Sequence, residues 1–313
     1  MARPGKLLIL SAFAALYLVW GSTYLAIRFA IETIPPLLMA GTRFLLAGLL
    51  MWGFARWQGA PKGSLANWRT ALIIGACLLL GGNGGVTLSE QYISSGLASV
   101  VVATVPIYMA LFAWWTGIAK RPSPIVWAGL AGGFAGVAIL LAPTLQSSTA
   151  GDKAGIGMVI LLFSSLIWSA GSIYSRKAKS AAPPLLLAGQ QMICGGGLLA
   201  LGGFLTGEHH RFDAAKISLL SIGSFAYLVI IGALVGYTAY IFLLRHCEPA
   251  KVATYAYVNP IVAVILGALF AGETLSPRAI LAATLIIGSV ALVITVQQTM
   301  PEPIASVESG KED

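Results

Sequence analysis

The sequence predicts an all-α integral membrane protein of ten transmembrane helices, arranged as two inverted five-helix repeats. Three observations predict it. The 313 residues are 58% hydrophobic and only 10% charged, with a mean hydropathy of +0.86. The apolar residues fall into ten long runs, and the second half of the chain repeats the first across an odd number of them.

A soluble domain of this size carries about 25% charged residues to cover its surface. With 19 Lys+Arg and 11 Asp+Glu, this chain cannot solvate a globule in water, so lipid must do it. Cys77, Cys194 and Cys247 are far apart and each lies in or beside an apolar run. They suggest buried, inert thiols rather than a disulfide framework or a metal site.

The ten runs are 7–27, 37–55, 70–89, 97–119, 125–145, 154–175, 184–207, 217–244, 252–272 and 279–296. Each is near or above the ~17–20 residues that a helix needs to cross the hydrocarbon core. Backbone groups in lipid must be satisfied within the segment, so the runs are helices rather than strands. Arg43 is the one charge inside any of them. The first run passes Ala12-Phe13-Ala14, which resembles a signal-peptide cleavage site, yet it continues well beyond and reads as a retained span.

Short loops allow the orientation to be read from Lys and Arg. Counting from the N-terminal side, one set of segments holds Arg3, Lys6, Arg56, Lys62, Arg69, Lys120, Arg121, Arg176, Lys177, Lys179, Arg245, Lys251 and Lys311. The opposite set holds only Arg28, Lys153, Arg211, Lys216 and Arg278. The richer side is expected to be cytoplasmic, with both termini on it. The formal net charge of +8 is therefore topological, and its spread over many loops argues against a nucleic-acid partner.

Self-comparison reveals the repeat. Pro35-Pro36-Leu37-Leu38-Met39-Ala40-Gly41 matches Pro183-Pro184-Leu185-Leu186-Leu187-Ala188-Gly189, and the same offset pairs Trp20 with Trp168, Arg28 with Arg176 and Gly48 with Gly196. A slightly longer offset pairs Val105-Pro106-Ile107 with Asn259-Pro260-Ile261, and Gly82 with Gly236. The halves are 1–146 and 154–296, and 297–313, with Pro301, Pro303 and a charged end, reads as a disordered cytoplasmic tail. Five helices per half turn the second half upside down relative to the first, which is the arrangement of alternating-access carriers. An oligomeric scaffold or a membrane-embedded enzyme stands as the alternative.

Three motifs carry a family resemblance. They are Trp20-Gly21-Ser22-Thr23-Tyr24, then Ser95-Gly96-Leu97-Ala98-Ser99 leading to Thr104-Val105-Pro106, and Tyr255-Ala256-Tyr257-Val258-Asn259-Pro260 followed by Gly272-Glu273-Thr274-Leu275-Ser276. Together, over roughly 8–296, they resemble the EamA-type branch of the drug/metabolite transporter superfamily. The resemblance implies a ten-helix exporter of amino acids or other small metabolites in a bacterial inner membrane. Where that family often carries Gly-Glu-Arg after the fourth helix, this chain has Ala119-Lys120-Arg121, so Glu273 has no partner copy.

Candidate substrate contacts follow from polar groups inside the spans. Arg43 lies about 9 Å deep if its helix begins near Leu37, at 1.5 Å per residue. Such a charge must face a cavity, water or a partner, so it is either an anion contact or a structural arginine that satisfies carbonyls. Gln190 and Gln191 are its counterparts in the second half. Gly81-Gly82-Asn83-Gly84-Gly85 indicates a broken or closely packed helix, and Asn83 pairs with Tyr237 in the repeat. Trp20, Tyr24, Trp168, Tyr255, Tyr257 and Asn259 add aromatic and amide groups suited to a small organic substrate.

Catalytic motifs are absent from the sequence. His209, His210 and His246 lie in loops without metal-ligand spacing, no cofactor is expected, and no phosphate-binding loop exists to couple ATP. Active transport would draw on an ion gradient, with protons as the candidate ion and Glu90, Glu248 and Glu273 as the acids that could carry them, and facilitated diffusion stands as the alternative.

Overall fold

A computed structural model describes residues 5–119, 121–146, 153–178, 182–247, 252–274 and 276–299, which are helical apart from turns and connecting segments. The helices are α1 (Lys6–Ala30), α2 (Pro36–Trp57), α3 (Leu65–Ser89), α4 (Ser95–Trp115), α5 (Pro124–Gln146), α6 (Ala154–Lys177), α7 (Pro184–Leu205), α8 (Leu219–His246), α9 (Tyr255–Ala271) and α10 (Pro277–Thr299). Seven of them, α1–α4 and α6–α8, are long and apolar enough to cross a membrane. Shorter apolar stretches lie at Pro124–Ile139, Val258–Ala271 and Pro277–Ser289.

Several helices outrun the uncharged stretches. α3 starts at Leu65, where the Ser64 side chain accepts a hydrogen bond from the Asn67 N–H at 3.2 Å, and so takes Arg69 into its first turns. α1 likewise includes Lys6 and Arg28. Charges near helix ends reach back to the polar boundary, so they do not stop a span. α10 runs to Thr299, three residues into the expected tail, whose remaining residues lie outside those described.

α3 and α8 each widen into a π-helical stretch, Ala76–Asn83 and Leu228–Tyr237, and these end at the repeat-paired positions Asn83 and Tyr237. The glycine-rich 81–85 segment thus does not break the helix. It loosens its winding and brings it against α6: a Cβ on Gly82 would lie 2.5 Å from Cε3 of Trp168, and Ser164 Oγ donates to the Gly82 carbonyl at 2.5 Å. α4 is interrupted at Ala103-Thr104, just before Pro106, whose missing N–H cannot continue the ladder.

The helix contacts include α2 with α7, α5 with α10, α3 and α4 with α6, α8 and α9 with α1, α3 with α7, α2 with α8 and α4 with α9. α2 and α7 approach backbone to backbone. A Cβ on Gly41 would lie 2.5 Å from Ala200 N, and on Gly48 2.7 Å from Ile193 N. From the other side, Gly189 would meet Trp52 N at 2.8 Å and Gly196 would meet Leu45 N at 2.6 Å. Small residues are what lets helices associate where lipid removes the hydrophobic drive between them.

Two ends of the bundle can be told apart. At the Glu90 end, where α1 and α3 finish and α2 and α4 begin, Arg28 Nη1 donates to the Glu90 carbonyl at 2.7 Å. Carboxylates from later loops cap the free N–H groups of both starting helices there. Glu208 accepts from Leu37 N (3.2 Å) and Leu38 N (2.9 Å). Glu273 accepts from Ser95 N (2.9 Å), Gly96 N (3.0 Å) and Ser95 Oγ (2.8 Å). At the Lys177 end, Arg176 Nη1 donates to the carbonyls of Leu244 (2.9 Å) and Cys247 (2.6 Å), and Lys177 Nζ to that of Thr116 (2.6 Å).

Outward faces carry large apolar side chains such as Leu18, Leu50, Phe163 and Leu269, all more than half exposed, as a lipid-facing surface requires. The cysteines are half-buried rather than buried, since they lie at the margins of helix contacts.

The α2–α7 contact predicts that Gly196→Val destabilises the protein by about 1–3 kcal/mol through overpacking. Gly53→Val, with nothing within 4 Å of its Cβ position, should have little effect. Thermal unfolding of both variants in detergent checks this, and equal midpoints would refute the close approach.

Candidate functional site

α1, α2, α3 and α4 from the first half and α6, α8 and α9 from the second surround a cavity near the middle of the bundle. Its walls include Trp20, Tyr24, Arg43 and Asn83 from one half and Trp168, Tyr237 and Tyr255 from the other. Val86, Val102 and Val105 supply an apolar side, and Thr23, Phe44, Ser164, Ser165 and Gly232 complete it. The space is small, about 70 Å³. At ~15 Å³ per water that is room for roughly five waters or a compact solute fragment.

Arg43 supplies the charge. Its side chain is 2% exposed, its Nη2 donates to Asn83 Oδ1, and its guanidinium carbon stands 4.3 Å from the centre of the Phe44 ring. Its Nε has no hydrogen-bond partner, and the ion pairs among the described residues, Arg211–Glu208 and Lys216–Asp213, do not involve it. A buried cation with only a neutral amide and a ring beside it leaves a positive wall and a spare donor. Ser165, whose buried hydroxyl also lacks a partner, faces the same cavity. The polar part of the site therefore combines a buried positive charge with two unpartnered donors, Arg43 Nε and the Ser165 hydroxyl.

The aromatic part lies toward the Lys177 end. Trp20 packs against Trp168 (5.4 Å between ring centres), Tyr240 (4.9 Å) and Tyr255 (5.3 Å). Trp168 Nε1 donates to Tyr240 Oη at 3.1 Å, and that hydroxyl bonds Ser172 Oγ at 2.6 Å. With the polar tips of Trp168 and Tyr240 bonded, the rings form a firm floor.

Of the residues expected from sequence, Trp20, Tyr24, Arg43, Asn83, Trp168, Tyr237 and Tyr255 line this one cavity. Gln191 stands behind them and accepts a hydrogen bond from Tyr237 Oη at 2.9 Å. Gln190, its neighbour, is turned a helical step away, buried against Gly63 rather than facing the cavity. Asn259 is buried with its NH₂ toward the carbonyls of Tyr255 (3.2 Å) and Tyr17 (3.1 Å), so it ties α9 to α1 instead of lining the cavity. The Tyr257 side chain and Glu248 lie outside the described residues.

Among the acids, Glu273 is engaged as the cap of α4. Glu90 sits just past the end of α3, fully buried, and neither carboxyl oxygen has a hydrogen-bond partner. Burial, then the nearby Glu273, holds its carboxyl well above the usual carboxylate range, while Arg28 and Arg43 pull the other way. Sequence reasoning missed Ser164, Ser165 and Tyr240 as parts of the site. Ser164 and Ser165 stand four and three residues before Trp168, a helical spacing that puts them on its face.

The EamA-like transporter family model matches residues 6–142 and again 155–295. The chain belongs to the EamA-like transporter family. Relatives named as transporters share its full span. The inner membrane transporter YedA of Escherichia coli strain K12 is 38% identical over 289 residues, covering 91% of this chain and 90% of that one. The transporter YvbV of Bacillus subtilis strain 168 is 28% identical, covering 90% of each. A probable amino-acid metabolite efflux pump of Salmonella typhimurium strain LT2 is 26% identical, covering 86% of this chain and 88% of that one. A solved crystal structure shares the fold, with a TM-score of 0.65 at 19% identity, covering 94% of this chain and 98% of the other.

For this EamA-like transporter, Asn83→Leu should cost about 1.5–3 kcal/mol, the worth of a hydrogen bond to a charged group. Arg43→Met on that background should recover part of the loss. A double-mutant cycle on thermal midpoints tests it, and strictly additive losses would refute the Arg43–Asn83 bond.

Proposed function

We propose that this chain is a secondary carrier that exports small organic solutes, amino acids or related metabolites, across a bacterial inner membrane by alternating access. Its two halves, 1–146 and 154–296, form inverted five-helix repeats, and all ten helices α1–α10 cross the membrane. One observation carries the reading: repeat-paired residues make equivalent bonds within each half, and both halves border one cavity. Arg43 donates to Asn83, and their mates Gln191 and Tyr237 are joined by the Tyr237-to-Gln191 bond. Trp20 and its mate Trp168 pack edge to face.

Further pairings support the same two-fold. Exchanging α1–α5 with α6–α10 turns the α1 contacts to α8 and α9 into the α6 contacts to α3 and α4, while α2–α7 and α5–α10 map onto themselves. Arg28 bonds the Glu90 carbonyl as its mate Arg176 bonds that of Leu244, the mate of Glu90. The four glycines of the α2–α7 contact are two mated pairs, Gly41 with Gly189 and Gly48 with Gly196. A pseudo-two-fold of this kind gives a carrier two related states, each open to one side.

The bias of Lys and Arg supports an orientation with both termini and the Lys177 end cytoplasmic and the Glu90 end outside. The substrate pairs an anionic group, held by Arg43 and Ser165, with a compact apolar or aromatic body against Trp20, Trp168 and the valines. The relative named a probable amino-acid metabolite efflux pump supports that class.

Counterflow in proteoliposomes with a panel of labelled amino acids and small carboxylates tests the proposal. At least one member should exchange, and Arg43→Gln should lower its rate about 10-fold or more, as removal of a ~1.5–3 kcal/mol charged hydrogen bond implies. Single cysteines along α1, α3 and α9 should change accessibility when that solute is added. A silent panel with unswitched cysteines would overturn the carrier reading.

A further inference from the structure

The Glu90 side chain has no structural duty that accounts for it. The tie at this end of the bundle is made by its main-chain carbonyl, which accepts from Arg28. The equivalent tie at the other end is made by the carbonyl of Leu244, whose side chain is apolar. The frame therefore needs no carboxyl here. Yet one is present, fully buried, with both oxygens unpartnered. An isolated ionised carboxylate in such a place is costly, and a group there is neutral or holds a cation.

Its position is informative. Asn83, Val86 and Glu90 follow one another at helical spacing on α3, and the first two line the central cavity. Beyond Glu90 a second, polar recess opens at the same end of the bundle, bordered by Arg28, Glu32, Gln91, Tyr92, Ser94 and Glu273. The carboxyl thus stands between a recess at the bundle's end and the substrate cavity. The charged and titratable groups around it are Tyr24 and Arg28 on α1, Arg43 on α2 and Glu273 in the α9–α10 connection. Two cations and one other carboxyl surround it, so its own charge state sets the local balance, including the field at Arg43.

We propose that Glu90 is a proton-binding site that exchanges one proton between the recess and the cavity and couples substrate movement to the proton gradient. With the site open to the Lys177 end, a proton from water there bonds to a Glu90 carboxyl oxygen, and the neutral acid leaves Arg43 free to hold an anionic solute. When the site turns to the Glu90 end the same proton passes to water in the recess, and the carboxylate competes with the solute for Arg43, so proton and solute leave together. The proposal rests on the carrier reading above and names the ion and the residue that carries it.

Two measurements test it. In proteoliposomes, an imposed proton gradient should accelerate net transport of the exchanging solute several-fold in the wild type and leave Glu90→Gln unaccelerated, while Glu90→Asp keeps a gradient response. Equal acceleration of wild type and Glu90→Gln, or a response only to a sodium gradient, would overturn it. Counterflow without any gradient is run alongside, so a failed carrier is told apart from a failed proton site. The second readout needs no solute. A carboxyl that is protonated in the folded protein binds more protons folded than unfolded, so stability falls as pH rises from the ordinary carboxylate range to its raised value. The thermal midpoint in detergent should therefore decline as pH rises above the ordinary carboxylate range in the wild type and stay flatter in Glu90→Gln. Superimposable midpoint curves would also overturn it.

Discussion

The close approach of α2 and α7 is the contact on which the rest of the bundle depends. Lipid is as apolar as the side chains, so burial alone cannot hold two such helices together. Dispersion across a seam without Cβ atoms can. Gly41, Gly48, Gly189 and Gly196 provide that seam, and within each helix a polar residue stands between the two glycines, Arg43 on α2 and Gln191 on α7. Bringing the seam together places both polar groups in the interior at once, and each then needs a partner. α3 and α8 supply those partners from the ends of their widened turns, Asn83 to Arg43 and Tyr237 to Gln191. Packing and polar satisfaction thus fix the same four helices around the same space.

Much of this was legible from sequence because it was written twice. The matched Pro-Pro-Leu-Leu segments, the glycine pairs and the tryptophan pair all show the repeat, and a repeat that meets itself in space points to its own interface. Arg43 was legible for a different reason: a charge in an apolar run has few places to go. The structure separates Gln191 from Gln190, which sequence treats alike, because one helical step of about 100° turns the second away from the cavity. Ser164 and Ser165 escaped notice because serine in a span is common, and only its distance to an opened turn or a buried charge gives it meaning.

The loops were less legible. Nothing in the sequence around Glu208 says that its carboxylate will cross to the start of α2, nor that Glu273 will do the same for α4. Both bonds join residues far apart in the chain, and a carboxylate at a helix start is recognisable locally only when it belongs to the helix it caps. Glu273 reads from sequence as an acid free to titrate. In the structure its carboxylate accepts three hydrogen bonds that tie the α9–α10 connection to the start of α4.

The frame is symmetric, but the charges on it are not. Arg43 is mated with Gln191, Glu90 with Leu244 and Glu273 with Ala119. At the Glu90 end, carboxylates from the second half cap α2 and α4. Two halves with equal packing but unequal charge give two conformations of similar core and different electrostatic closure. A carrier with identical halves would have no preferred side from which to load. On the carrier reading proposed above, the packing through which the halves would exchange roles leaves one cation, one buried acid and two caps on a single half or a single end. Direction, in such a molecule, comes from the few residues in which the repeat failed to copy itself.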